Sequence, residues 1–142
     1  MKVVADTSVV VSALLWPGLP HRILIAAETG AITLYTSPAL LDEWAGVLAR
    51  SKFSMRLSAR RVTVEELVTG YARLAHLVLP RPIAPVIHED PSDDAVLACA
   101  LSAQARFIVS SDPHLLRLDY YRSIQIVSPR AFFTSVLPHH TL

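Results

Sequence analysis

The sequence predicts an α/β fold, a three-layer α/β/α sandwich in which a mainly parallel sheet lies between two layers of helices. Short β-branched segments alternate along the chain with segments of helical periodicity, the pattern of parallel strands joined by crossover helices. Proline or glycine stands at most of the boundaries between these segments. With 142 residues, the chain is long enough for one substantial core, so we expect residues 1–142 to form a single domain.

Local signals place the elements of the first half. "KVVAD" is short and apolar and predicts a buried strand that ends at Asp6. Ser37 followed by Pro38 predicts a capped helix start, and Thr63 with Glu66 has the spacing of a capping box. The predicted elements are a strand at 2–6, helices at 9–15 and 20–30, a strand at 31–36, and helices at 38–50 and 63–78.

The second half begins with an irregular segment. Residues 79–94 contain four prolines and no helical period, so we expect an extended connection across the surface. The predicted elements after it are a helix at 93–105, a strand at 106–112, a short helix at 113–118, a strand at 124–128 and a closing helix at 129–137.

Acidic residues stand where ligands bind in such folds, beyond the carboxyl ends of parallel strands. Asp6 ends the first strand and Asp112 ends "FIVSSD". Asp94, with Asp93 beside it, starts a helix, and Glu43 borders the apolar face of another helix. Each acid alone is better explained as a helix cap or a surface charge than as a functional group.

Taken together, these acids predict a cation. Carboxylates about 4 Å apart repel by up to about 4 kcal/mol per pair at an effective dielectric constant of 20, so a converging set needs a compensating charge. Oxygen ligands without a nearby cysteine or histidine pair favour Mg²⁺ or Mn²⁺ over zinc. One or two ions fit this pattern equally well. His88 and His114 flank the acidic motifs, but we interpret them as surface residues.

Four motifs carry a family resemblance: "VVADTSVVVSALL", "SPALLDEWAGVLAR", "DPSDDAVLACAL" and "FIVSSDPHLL". They resemble the acidic motifs of the PilT N-terminal (PIN) domain, in the branch of VapC-like ribonucleases that act as toxins of toxin–antitoxin pairs. The resemblance implies a PIN-like fold and metal-dependent hydrolysis of phosphodiester bonds that leaves a 5′ phosphate. The residues that it implies as catalytic and metal-binding are Asp6, Glu43, Asp94 and Asp112, with Asp93 as a possible accessory ligand.

The resemblance also places two serines near the metal. Ser8 stands where many members have asparagine, and Ser111 belongs to a Ser-Ser pair that replaces Thr-Gly. We expect Ser8 and Ser111 to contact phosphate or the outer shell of the metal.

A basic block follows the helix that carries Glu43. "RSKFSMRLSARR" holds five of the thirteen basic residues, and no acid lies between Glu43 and Glu65. Such a block could track a phosphate backbone while an aromatic ring stacks on a base, although a solvated connection explains it equally well. The RNA-binding candidates are Arg50, Lys52, Phe53, Arg56, Arg60 and Arg61. Single-stranded RNA as the substrate is implied mainly by the resemblance.

Three other functions compete with a ribonuclease. A Mg²⁺-dependent phosphotransferase would use Asp6 as its nucleophile, but such enzymes need a second Asp where this chain has Ser8. A receiver-like binding module would hold Mg²⁺ for phosphoacceptance, but it needs a pair of acids early in the chain, where Asp6 stands alone. A catalytically inactive PIN-like binding module is the third alternative, against which the presence of all four acids argues.

Composition bounds location and partners. The chain is 52% hydrophobic with a net charge of +1, which predicts self-association as a homodimer or higher oligomer and no general attraction to membranes. We expect a cytoplasmic protein with a reduced, buried Cys99. The resemblance implies a cognate antitoxin. The apolar surface expected to receive it lies on the first two helices and consists of Trp16, Ile23, Leu24 and Ala27.

Overall fold

The computed structural model describes residues 1–86 and 91–138. Its strands are β1 (Lys2–Ala5), β2 (Thr33–Thr36), β3 (His76–Leu77), β4 (Phe107–Val109), β5 (Tyr120–Tyr121) and β6 (Ile124–Val127). Its helices are α1 (Thr7–Leu15), α2 (Leu19–Glu28), α3 (Pro38–Leu48), α4 (Ser54–Arg60), α5 (Val64–Leu74), α6 (Pro91–Ala103), α7 (Pro113–Leu116) and α8 (Pro129–Ala131). A 3₁₀ turn at Ser51–Phe53 precedes α4, and a π-helical turn at Phe132–Val136 follows α8.

The strands form one six-stranded sheet in the order β3-β2-β1-β4-β6-β5. All neighbouring strands are parallel except β5, which runs antiparallel to β6. β1 and β4 lie side by side at the centre, with Ala5 opposite Val109. The residues that follow these two strands therefore meet at the same edge of the sheet, as predicted for Asp6 and Asp112.

Helices cover both faces of this sheet, so the predicted three-layer sandwich is confirmed. The core is a continuous apolar cluster that includes Val3, Val4 and Ala5 of the central strand β1. Trp44 of α3 is 0% exposed and packs edge-to-face on the Tyr71 ring of α5, with 4.8 Å between ring centroids. The buried side of α3, the helix that carries Glu43, therefore packs against large aromatic side chains.

The structure corrects several predicted boundaries. The helix predicted for 63–78 ends at Leu74, after which the chain forms β3 at the sheet edge. β5 was not predicted, because a two-residue strand leaves too little pattern to detect. The basic block, for which the sequence predicts no helix or strand, forms a 3₁₀ turn and α4.

The apolar surface expected on the first two helices is largely absent. Ile23 is 1% exposed and Leu24 is 9% exposed, because both belong to the core. Trp16, in contrast, is 41% exposed. The expectation that Ile23 and Leu24 receive a partner is therefore wrong.

Among the described residues, no single helix is long and apolar enough to cross a bilayer. α1 and α2 meet that test only as a pair, and the chain bends by 86° between them.

Candidate functional site

Asp6 lies at the carboxyl end of β1 and is the most deeply placed acid of the site, at 3% exposed. Its Oδ1 accepts hydrogen bonds from the Val9 amide, which makes it the N-cap of α1, and from the Ser8 hydroxyl, each at 3.0 Å. Its Oδ2 accepts from the Ser110 hydroxyl. Burial nevertheless raises the pKa of Asp6 above its ordinary value, and the nearby Asp112 carboxylate raises it further. The pocket therefore opposes the charge on Asp6 when no cation is near.

Ser110 connects the residues that follow β1 and β4 by hydrogen bonds. This serine is fully buried after β4, donates to Asp6 and accepts the Asp112 amide at 2.9 Å. The Asp112 carboxylate in turn caps α7 by accepting the His114 amide at 2.8 Å. Asp6 and Asp112 are thus held in register by one hydroxyl group.

Glu43 lies on α3 and is held at the site by a second hydroxyl group, that of Thr7. Thr7 donates to Glu43 Oε2 at 2.7 Å, although 36 residues separate the two positions in sequence. The same Thr7 oxygen accepts the indole N–H of the buried Trp44 at 3.2 Å. The chain Trp44–Thr7–Glu43 therefore orients the glutamate from the core outward.

The two adjacent acids at the start of α6 point to different places. Asp93 is 5% exposed and lines the same cleft as Asp6, Glu43 and Asp112. Asp94 does not line this cleft, and its Oδ1 accepts the Val86 amide at 3.1 Å from the extended segment before α6. The geometry thus gives Asp93 the position in the cleft that the resemblance assigned to Asp94.

Three of these side chains can converge on one cation. Asp93, Asp112 and His114 each offer a ligand atom, and the three atoms lie within 4.8 Å of one another. His114 Nδ1 is 3.7 Å from Asp112 Oδ1, and the imidazole is partly exposed. Two carboxylate oxygens and one imidazole nitrogen suit a divalent ion such as Mn²⁺, so the donor set fits a metal. His114 was interpreted as a surface residue in the sequence; His88 lies outside the described residues.

The cleft around these acids has a volume of about 500 Å³. Ser8 and Ser111 are exposed and line it. Its far wall contains three members of the basic block, Arg50, Lys52 and Phe53. Cationic groups therefore lie on the rim of a cleft whose floor is acidic.

The rest of the basic block has a different role. Arg56 Nε donates to the Leu15 carbonyl at 2.7 Å, and Arg60 donates to the Leu14 carbonyl. These guanidinium groups satisfy the last carbonyls of α1, where positive charge is also favoured by the helix dipole. Arg61 is exposed in a left-handed conformation at the end of α4, and none of the three arginines lines the cleft. The block predicted as one RNA-binding surface is thus divided in two.

Besides His114, sequence reasoning missed three residues of the site. Thr7 and Ser110 are hydroxyl residues next to predicted acids, and only their contacts across strands and helices show that they position carboxylates. Trp16 is expected from the sequence to contact an antitoxin, and the structure shows that it lines the cleft. The available signal was its place just before the "PG" break, where a helix ends and a side chain is less often enclosed.

Comparison with known families agrees with this arrangement. No curated protein sequence matches the chain. A family model described as PIN domain matches residues 2–114, which include every cleft residue named above. The match covers well over half of the 142 residues, and the chain therefore belongs to the PIN domain family.

Proposed function

We propose that this protein is a Mg²⁺- or Mn²⁺-dependent endoribonuclease that cleaves single-stranded RNA. PIN domains are typically metal-dependent nucleases. The observation that carries the proposal is the single cleft, which collects Asp6, Glu43, Asp93 and Asp112 beneath a rim with Arg50 and Lys52. An acidic floor can hold cations, and a basic rim can hold a polyanion against it.

The acids divide the work between them. Asp93, Asp112 and His114 would hold the ion, since their ligand atoms already lie together. Asp6 and Glu43 border the same cleft and supply further negative charge, each held by hydroxyl donors. A divalent ion in this position supplies activation of water and neutralisation of charge on the phosphate.

The rim would bind the RNA backbone. Arg50 and Lys52 are exposed, so they can reach phosphates without a large desolvation cost. Ser8 and Ser111, exposed at the cleft, can donate hydroxyl hydrogen bonds to phosphate oxygens. Arg56 and Arg60 are left out of this role because the α1 carbonyls already hold them.

The test compares two neighbouring acids. Asp93→Asn and Asp94→Asn remove the same charge from adjacent residues, only one of which lines the cleft. Purified proteins are incubated with labelled single-stranded RNA in Mn²⁺, Mg²⁺ or EDTA. We expect metal-dependent fragments with 5′ phosphates from the wild type, a loss of about 100-fold or more in Asp93→Asn, and substantial activity in Asp94→Asn.

The same assay separates the alternatives. Greater loss in Asp94→Asn than in Asp93→Asn would show that the assignment within the pair is wrong. Binding of RNA without fragments in any metal would favour an inactive binding module. A phosphotransferase has less support, because the carboxylate that would act as its nucleophile, Asp6, is buried and accepts three hydrogen bonds. A DNA oligonucleotide of the same sequence, cleaved equally fast, would show that the enzyme does not select RNA.

We further propose that the nuclease is the toxin of a toxin–antitoxin pair and forms homodimers or higher oligomers. This role is supported by the resemblance of the acidic motifs to VapC-like ribonucleases. Induced expression should arrest bacterial growth, Asp93→Asn should not, and Asp94→Asn should remain toxic. Growth arrest by Asp93→Asn at equal expression would rule out a toxic effect through RNA cleavage. Light scattering of the purified chain would measure the oligomeric state.

A further inference from the structure

Trp16 is a large aromatic side chain that the core leaves uncovered. It lies at the end of α1, is 41% exposed and lines the same cleft as the acids. The other tryptophan of the chain, Trp44, is 0% exposed. Exposing an indole costs stability that burial would have supplied, so its position in a polar cleft points to a ligand that uses its ring.

Neighbouring side chains hold the indole in place. The Phe53 ring meets it edge-on, with 6.0 Å between centroids and 61° between planes. The Arg56 guanidinium lies over the indole, 5.7 Å from the ring centroid, while its Nε is fixed to the Leu15 carbonyl. One face of Trp16 is therefore supported by a cation that is itself anchored. A ring held in this way loses little conformational entropy when a second planar group stacks on it.

The basic rim continues from this aromatic pair. Lys52 lies 5.1 Å from the centroid of the Phe53 ring, and Arg50 lines the same wall. Cations beside aromatic rings on which bases can stack are the combination by which proteins bind single strands, because the charge binds the backbone and each ring binds a base. A duplex keeps its bases paired and stacked on one another, so this wall suits an unpaired base.

We propose that Trp16, supported by Phe53 and Arg56, is the stacking platform for one unpaired base of the RNA whose backbone crosses the acidic floor. This inference rests on the proposed function, since it names the part of the substrate that the aromatic wall holds. Trp16 binds the substrate and takes no part in proton or phosphoryl transfer.

The test measures binding without cleavage. Metal-free protein in EDTA is titrated with a short single-stranded RNA and with an abasic RNA of equal length, and Kd is measured by fluorescence anisotropy of a label on the RNA. Trp16→Leu keeps an apolar side chain but removes the ring, and Trp16→Phe keeps a smaller ring. Tyr120→Leu is the matched control, because Tyr120 is 53% exposed on β5 and lies outside the cleft.

We expect Trp16→Leu to raise Kd for RNA by about 5- to 150-fold, the range for loss of one base–aromatic stack, with Trp16→Phe in between and Tyr120→Leu unchanged. The abasic RNA should bind the wild type and Trp16→Leu alike. Indole fluorescence gives a second reading. RNA should quench the wild-type protein, and because Trp44 is enclosed, the quenching should vanish in Trp16→Phe.

Equal Kd values for the wild type and Trp16→Leu would overturn the stacking role, as would a saturated complex with unquenched fluorescence. Melting of each variant followed by circular dichroism shows whether it is folded, and Trp16→Phe decides the question if Trp16→Leu is not. Cleavage by the wild type in Mn²⁺ distinguishes the two proposals. If it cleaves RNA while Trp16→Leu binds normally, only the stacking platform fails; if it neither binds nor cleaves, the proposed function fails with it.

Discussion

Thr7→Val is the substitution that tests most directly how the fold positions the site. Valine has nearly the shape of threonine but lacks the hydroxyl that donates to Glu43 at 2.7 Å and accepts from Trp44 at 3.2 Å. Two contacts are lost at once. The indole N–H of Trp44, a residue that is 0% exposed, is left without its acceptor, and Glu43 loses the donor that orients it.

The expected cost follows from these two environments. A buried donor without an acceptor costs about 1–3 kcal/mol. The Glu43 contribution is smaller, because that carboxylate is partly exposed and water can replace the hydroxyl. A total near 2 kcal/mol is therefore reasonable. At about 2.1 cal/mol/K per residue, the unfolding entropy of 142 residues is roughly 0.3 kcal/mol/K, so Tm should fall by about 7 °C.

The assays separate the two contacts. Thermal melting in EDTA measures the Trp44 contact, and calorimetric titration with Mn²⁺ measures the metal affinity that depends on Glu43. Thr7→Ser keeps the hydroxyl and should stay close to the wild type in both. Glu43→Gln keeps an acceptor for Thr7 and should lose metal affinity with little change in Tm. An unchanged Tm and an unchanged Mn²⁺ affinity in Thr7→Val would refute the positioning role.

Three further predictions concern charge and burial. Because burial raises the pKa of Asp6, the folded state favours the protonated form of this carboxyl group. The contribution of Asp6 to stability is therefore fully present below the ordinary pKa of 3.8 and is lost as pH rises through the folded pKa. Metal-free Asp6→Asn should accordingly melt above the wild type at pH 7, with the difference shrinking toward pH 4; a constant difference would contradict this. Arg60→Met should lower Tm by about 3 °C, the effect of roughly 1 kcal/mol, with RNA affinity unchanged, because Arg60 satisfies an α1 carbonyl. Arg50→Met should leave Tm unchanged but weaken RNA binding and flatten its salt dependence. Identical effects of the two variants would show instead that the basic block acts as one RNA-binding surface. Cys99 should resist alkylation at pH 8 until the protein unfolds, because burial raises its thiol pKa to about 12, and rapid labelling of the native protein by iodoacetamide would show otherwise.

Local chemistry explains why so much of the fold was predictable. Ser37 accepts the Leu40 amide at the start of α3, and Thr63 and Glu66 form the complete capping box of α5, as their spacing predicts. Residues 3–5 of β1 and the whole of β4 are short apolar runs that are buried beneath helices, and such runs stand out in sequence. The acids that follow them must meet at one edge, since parallel neighbours end together.

The choice between Asp93 and Asp94 could not be made in the same way. Adjacent residues on a helix differ in direction by about 100°, and both are acids at a helix start. Only the tertiary structure makes the choice. The Val86 amide donates to the Asp94 carboxylate, and α6 packs against the sheet so that Asp93 lines the cleft with Asp6 and Asp112. The length of the helix before β3 was equally undetermined, because His76 and Leu77 suit either state until β2 offers an edge to pair with.

The sequence by itself determined the fold class, the order of the central elements and the edge of the sheet where acids gather, because caps, periodicity and strand direction act over a few residues. Tertiary structure alone decided what each side chain does there. Thr7 reaches Glu43 across 36 positions and Arg56 reaches Leu15 across 41, and these contacts turn a hydroxyl into a positioning group and a basic block into a helix cap. Trp16 became part of the cleft for the same reason. Which face of a short helix is covered depends on elements far away in the chain, and a local sequence pattern carries no information about those distant contacts.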